Sequence, residues 1–358
     1  MMTLVIKPQY LRMEYSFFGS GRDEPFFNGT VENIRQSRDA VIDAVKEINK
    51  KISMVCSGRE WMVVFILPYG GKIFRGSVSL DEDVITKLQS LTPFAPLHIP
   101  FAIELMKFFR EEFPNANMRL FFQTSFFVNL PVRERVFAIP SEISGVLGME
   151  RYGFYGIFHE ASVRKISREL RQEKRPVPYK IISICLEPRP EVVAVIGRRP
   201  VMVTTDATPI GGICGEKTPG EIDSSILLML LKKYKYSPEK INTILTRESG
   251  LLALCGREMT IGAVLKKNGA DDAVQLAGNM IRYQLLKALG AGTAAMGGID
   301  GIVFSGRYRE TGSEMAKYLL SRLFARDPSM MRQVKIAVME KSTDRITADL
   351  ASTAFRCR

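Results

Sequence analysis

Histidine and tryptophan are scarce in this chain: its 358 residues hold two histidines, His98 and His159, and one tryptophan. That excludes a multi-histidine metal site, and a zinc site would need scattered ligands; no metal site is expected. The five cysteines, Cys56, Cys185, Cys214, Cys255 and Cys357, are odd in number and dispersed, without CxxC spacing or a Cys/His cluster. Reduced thiols are therefore expected, not a disulfide framework. No apolar run reaches the length of a membrane span, and the start MMTLVIKPQYLRMEY has neither a secretory apolar core nor an Arg/Ser-rich transit pattern. The expectation is a soluble cytoplasmic protein with no membrane partner. Low-complexity linkers and short-period repeats are also missing.

What is present suits a globular protein of more than one core. Apolar residues make up 46% of the chain and charged residues 25%, and a length of 358 residues predicts two domains. The formal charge of +12 raises affinity for polyanions through long-range attraction. Basic residues are nevertheless spread along the chain, and the densest stretch, residues 164–175, alternates with acidic and apolar residues as a solvated helix does. With no nucleic-acid module signature, nucleic acid is not the expected partner.

Apolar runs predict strands at residues 3–6, 61–67 (WMVVFIL) and 118–122. Residues 31–52 carry Ile34, Ala40, Val41, Ala44, Val45 and Ile48 at helical spacing, which gives a strand–helix–strand order. Helices are predicted at 81–91 and 102–113. The second half repeats the pattern: helix 160–172, strands 180–186, 191–196 and 201–204, helices 224–233 and 273–289, strand 301–305, helix 314–324 and strand 333–338. Two α/β units in succession predict two layered domains meeting at a cleft.

Several blocks resemble the acetokinase family, acetate kinase of the actin/Hsp70/sugar-kinase (ASKHA) superfamily. TPFAPLHIP at 92–100 is similar to P-L-A-P-L-H-N-P, RYGFYGIFH at 151–159 to R-Y-G-F-H-G-T-S-H, and GEID at 220–223 to G-D-I-D. ESGLLALCG at 248–256 is similar to K-S-G-L-L-G-L-S-G, and GGIDGIVFSG at 297–306 to G-G-I-D-A-L-V-F-T-G. Gly70 to Phe74 also falls in its place, and the blocks keep the family order. The resemblance implies an α/β fold of two RNase-H-like domains flanking a cleft, residues 1–129 with 344–358 and residues 130–343. It further implies a homodimer, and phosphoryl transfer between ATP and a short carboxylate with Mg²⁺. Such chemistry depends on cations and backbone amides that hold phosphoryl oxygens.

At the family's functional positions this chain departs from the pattern. The first phosphate loop, N-A-G-S-S-S-L-K, falls on Lys7, Pro8, Gln9, Tyr10, Leu11, Arg12, Met13 and Glu14, so a glycine has become Gln9 and a lysine has become Glu14. The two arginines of the substrate clamp align with Ile66 and Thr218, neither of which binds an oxyanion bidentately. An acidic residue aligns with Gln123, and a histidine aligns with Tyr155. The second phosphate loop, H-L-G-N-G-S, aligns with residues 185–190. There Pro188 and Pro190 delete N–H donors and Glu187 places negative charge. The adenosine-side loop, G-G-I-G-E-N, aligns with Gly306, Arg307, Tyr308, Arg309, Glu310 and Thr311, keeping only Gly306 and Glu310. The family's metal-side glutamate falls at 342–344 with a one-residue ambiguity.

Blocks that persist set turns and helix starts, and His98, His159, Cys185 and Cys255 read as structural residues. The replacements Lys7, Arg12, Arg189, Arg307 and Arg309 border the expected nucleotide cleft. They either form a new anion site or pair with Glu14, Glu187 and Glu310. The leading reading is a protein that has lost its catalytic residues and is retained for a binding, regulatory or assembly role, with a protein or an anionic small molecule as partner and no assured cofactor. The alternatives are a short-carboxylate kinase with a rebuilt site, and a polyanion binder.

Overall fold

A computed structural model describes residues 1–9, 12–32, 38–56, 58–143, 149–266 and 271–356. Tyr10, Leu11, Ile34 and Cys357, named above, lie outside the described residues. The chain divides into two compact units, Met1–Val128 with Lys341–Arg358, and Asn129–Glu340.

The first unit is built on a six-stranded sheet. Its strands are β1 (Met2–Pro8), β2 (Arg12–Phe18), β3 (Phe27–Glu32), β4 (Trp61–Leu67), β5 (Val78–Ser79) and β6 (Asn117–Phe122), in the order β3-β2-β1-β4-β6-β5. β1, β2 and β3 form an antiparallel meander, and β4 and β6 add parallel on the other side of β1. β4 is apolar from Met62 onward because it lies mid-sheet, covered on both faces, and Met62–Phe65 expose no surface. Helix Ile99–Glu112 contributes Phe109, whose ring meets Phe65 edge-on at 5.5 Å. Helix Thr343–Arg356 packs on β1, β2 and β4, which is how the chain's last segment joins this unit.

The second unit repeats the plan with five strands. These are β7 (Lys180–Cys185), β8 (Glu191–Ile196), β9 (Arg199–Val203), β10 (Gly301–Ser305) and β11 (Lys335–Val338), in the order β11-β10-β7-β8-β9. Again the first three make a meander and the last two add parallel beyond its first strand. Helix Asp272–Met296 covers the sheet. Asp271 caps its start by accepting from Val274 N–H at 3.0 Å, and Gly297 ends it at φ +67°. In both units the turn after the first strand and the loop after the neighbouring parallel strand share one sheet edge. That edge carries the aligned phosphate loops.

Three expectations need correction. The stretch 31–52 is not one helix: Val31 and Glu32 belong to β3, and the helix is Arg38–Cys56. The strand–helix–strand order also omitted β2. Its charged start, Arg12 and Glu14, hides the apolar alternation, and these residues are held by ion pairs. The long helix runs on to Met296, past 289, because the tail AGTAAM is small enough to continue it.

Candidate functional site

In the first unit, β1 and β2 place Lys7 opposite Glu14. The Lys7 ammonium lies 2.8 Å from Glu14 Oε2 and 3.0 Å from Asp344 Oδ1, between two carboxylates. Burial pushes its pKa down, but Asp344 and Glu14 together outweigh burial and the net shift is upward. Arg12 reaches the other Glu14 oxygen at 2.8 Å and donates to Gln9 Oε1 at 2.9 Å. Ser16 donates to Asp344 Oδ2 at 2.9 Å. Glu14 thus bridges two cations where the resemblance placed a phosphate-binding lysine. Asp344, inside the ambiguous stretch 342–344, reaches this cluster from the far end of the chain, and sequence reasoning did not single it out.

Ile66 lies in β4, 4% exposed, and offers no polar atom. Gln123 follows β6, where its backbone N–H donates to Leu67 O at 2.9 Å. Two cavities of this unit, lined around Trp61, Phe113, Asn117 and Arg119, lie at the N-terminal ends of β4 and β6, the opposite strand ends from these loops.

In the second unit, Gly306 is held at φ +91°, and a Cβ there would lie 2.6 Å from Leu186 O. Only glycine fits so close a crossing of the two loops. Glu187 accepts from Arg307 N–H at 2.9 Å, and Arg307 Nε lies 3.8 Å from the same carboxylate. A backbone amide of the adenosine-side loop is therefore already bound to an internal anion. Tyr308 donates to Glu216 Oε1 at 2.6 Å, Ile261 N–H donates to the same oxygen at 3.0 Å, and Glu216 N–H reaches Pro188 O at 2.8 Å. Burial and then Glu216 push the Tyr308 phenol up to about 12. These bonds join the three loops around residues 188, 216 and 308. Arg309 donates to Gly306 O at 3.2 Å and lies 3.6 Å from Glu340, and Glu310 pairs with Lys266 at 3.1 Å. Arg189 differs from these. Its exposed guanidinium makes no hydrogen bond or ion pair with any described residue.

Tyr155 precedes helix Gly156–Gln172, and burial holds its phenol far above the ordinary value, with Arg189 opposing. Thr218 is 4% exposed, and its Oγ1 has no partner among the described residues. Below them lies a buried polar group that sequence reasoning missed. Glu191 accepts from Phe154 N–H at 2.7 Å, Tyr155 N–H at 3.2 Å and Thr205 Oγ1 at 2.9 Å. His159 Nε2 sits 3.1 Å from Glu191, and its Nδ1 sits 2.8 Å from Ser183 Oγ. A Ser–His–Glu line suggests acyl transfer, but all three residues have zero exposure, so no substrate reaches them. His159 is a core residue holding the RYGFYGIFH block to the sheet.

Among the described residues no group of three His, Cys, Asp or Glu is placed to hold a metal ion, and no helix is long and apolar enough to cross a membrane. The described cysteines are free thiols.

The sequence profile of the Acetokinase family matches residues 28–338. The chain belongs to the acetokinase family. It is 31% identical to acetate kinase of Thermoanaerobacter pseudethanolicus over 310 residues, covering 85% of this chain and 75% of that one. To acetate kinase of Sulfurimonas denitrificans it is 28% identical over 255 residues, 71% of this chain and 64% of that one. Among solved structures, Porphyromonas gingivalis acetate kinase superposes with a TM-score of 0.86 at 21% identity over 99% of both chains. A propionate kinase from Francisella tularensis gives 0.82 at 20% identity over 97% of this chain and 98% of that one. The α/β fold with two sheets is that of these kinases. Acetokinase-family blocks of this chain form turns and caps in the structure: Gly297 ends a helix, and Asp223 accepts from Ser225 N–H at 2.7 Å to start one.

Proposed function

We propose that this acetokinase-family protein transfers no phosphoryl group from Mg-ATP and serves a binding, regulatory or assembly role. The observation that carries this reading is the pair of internal carboxylates. Glu14 lies between Lys7 and Arg12, and Glu187 holds the Arg307 N–H, so groups suited to phosphate oxygens are bonded to the chain's own acids. A phosphate group at either loop would have to displace that loop's own carboxylate, and it would meet negative charge where its own charge must sit. ATP and Mg²⁺ do not fit the residues present. Each lost charge-assisted contact weakens binding by about 1.5–3 kcal/mol, so several remove measurable affinity.

Two measurements test this. Calorimetry with Mg-ATP is expected to show no binding at micromolar to low-millimolar concentration, and hydroxamate trapping of acetyl phosphate is expected to show no turnover above background. A micromolar dissociation constant, or turnover that disappears in Lys7→Ala or Arg12→Ala, would refute the reading. The latter result would establish the second reading, a short-carboxylate kinase with a rebuilt site, which the 31% identity to an acetate kinase favours.

A homodimer is part of the same proposal. Helix Ser224–Lys232 buries none of its residues, and Ile226, Leu228, Met229 and Leu231 are all exposed around it, apolar surface suited to a second copy. Light scattering of the wild type beside Leu228→Glu tests it: a dimer converted to monomer supports it, and a monomeric wild type refutes it.

A further inference from the structure

The two cavities at the N-terminal ends of β4 and β6 are contiguous, with Phe113, Pro114, Ala116 and Asn117 as their common wall. Their volumes, about 410 and 440 Å³, are each large enough for a small organic molecule. The wall is held by its backbone. Pro114 follows the end of helix Ile99–Glu112, and Ala116 N–H closes the turn on Phe113 O at 3.1 Å.

The chemistry changes from one end to the other. Trp61, Phe113 and Pro114 line the first cavity, where the half-buried indole of Trp61 lies edge-on to Phe113 at 5.2 Å and to Phe17 at 6.4 Å. Held by two neighbouring rings, this indole is already in place to receive a flat apolar group. Arg110 and Arg119 line the second cavity. Arg119 is fixed by β6 pairing with β5 and by its bond to Ser77 Oγ at 3.1 Å. Arg110 pairs with Glu82, but both side chains are largely exposed, and such a pair adds at most about 1 kcal/mol. Glu82 lies in the first turn of helix Glu82–Ser90, where the helix dipole favours its charge without Arg110. An incoming anion therefore takes the Arg110 guanidinium at little cost. Glu60, exposed at the aromatic end, repels an oxyanion there and so gives the pair of cavities a direction.

We infer that the two cavities form one binding site for an aromatic carboxylate, with the ring against Trp61 and Phe113 and the carboxylate at Arg110 and Arg119. The ring supplies apolar burial, and the guanidinium groups supply charge and two-pronged donors that fix orientation. The site lies within the first unit, at the strand ends opposite Lys7 and Glu14, so it stands whether or not phosphoryl transfer is lost.

The test is titration of the full chain with phenylacetate and with phenylpropionate at constant ionic strength, followed by the emission of Trp61, the one tryptophan of the chain. A saturable change is expected. Acetate, which has the charge without the ring, and benzyl alcohol, which has the ring without the charge, should each bind about tenfold or more weakly. Arg110→Ala should weaken the aromatic acids about fivefold to tenfold, and its position is exposed, so folding is not at stake. Arg326→Ala removes the same charge from an exposed position of the second unit and should leave the affinity unchanged. For Trp61→Leu, calorimetry replaces fluorescence and should show a similar loss. No saturable change with either aromatic acid overturns the site. Benzyl alcohol binding as tightly as phenylacetate, or equal weakening by Arg110→Ala and Arg326→Ala, overturns it as well.

Discussion

Replacing Glu191 by alanine takes the acceptor away from two backbone amides at once. Phe154 N–H at 2.7 Å and Tyr155 N–H at 3.2 Å have no other partner among the described residues, and both precede the helix that carries His159. Thr205 keeps its bond to Tyr152 O at 2.8 Å, so its hydroxyl is not orphaned. Two charge-assisted bonds at about 1.5–3 kcal/mol each give a loss of about 3–6 kcal/mol. The His159 contact at 3.1 Å adds a space left next to a buried imidazole. Glu191→Gln keeps one acceptor oxygen but turns an NH₂ toward a donor, so about half that loss is expected. The assay is urea unfolding followed by two probes. The one tryptophan, Trp61, begins β4 and reports on the first unit, whereas circular dichroism reports on both. At an m-value of about 2 kcal/mol per molar urea, the circular dichroism transition of Glu191→Ala should begin about 1.5–3 M lower than in wild type. Midpoints within about 0.2 M of wild type by both probes would refute the accounting.

Gly250→Ala should destabilise by about 3 kcal/mol or more, because φ is +71° and the new Cβ would lie 2.1 Å from Gly215 O, a backbone atom that cannot move aside; a melting temperature within 2–3 °C of wild type, roughly the shift of 1 kcal/mol, would count against this. Lys7→Met should cost about 1–2 kcal/mol at neutral pH by taking the ammonium from Glu14, which keeps Arg12, and from Asp344, which keeps Ser16. Because the folded-state value of Lys7 is raised, its contribution is complete below the ordinary lysine value of 10.5 and is lost as pH rises through the higher folded value. Urea midpoints of Lys7→Met and wild type should therefore converge only in strong alkali, and convergence near pH 8 would contradict the pairing. Among the described cysteines, native alkylation should reach half-buried Cys255 first and Cys185 last, since burial lifts Cys185 far above the ordinary thiol value and Cys214 to about 11; peptide mapping that finds Cys185 modified as fast as Cys255 would overturn the order.

Strands whose side chains are buried on both faces were legible in the sequence, because WMVVFIL and GIVFS admit little else. Helix limits with a capping side chain were legible to within a residue or two, as at Asp81 and Asp223. The edge of the first meander was not. β2 owes its conformation to backbone pairing with β1 and β3 to pairing with β2, and β2 also to charges cancelled by partners far along the chain, none of which leaves an apolar period.

The replacement of Gly, Lys and Arg by Gln9, Glu14, Ile66 and Thr218 was determined by the sequence alone, because the chemistry a residue type lacks does not depend on where the residue sits. What became of the new charges was decided by tertiary structure. Charge pairing falls off within a few ångströms. Only folding brings Asp344 to Lys7, sets the Arg307 amide against Glu187, buries His159 with Glu191, and leaves Arg189, in the same loop as Glu187, without a hydrogen bond or ion pair among the described residues.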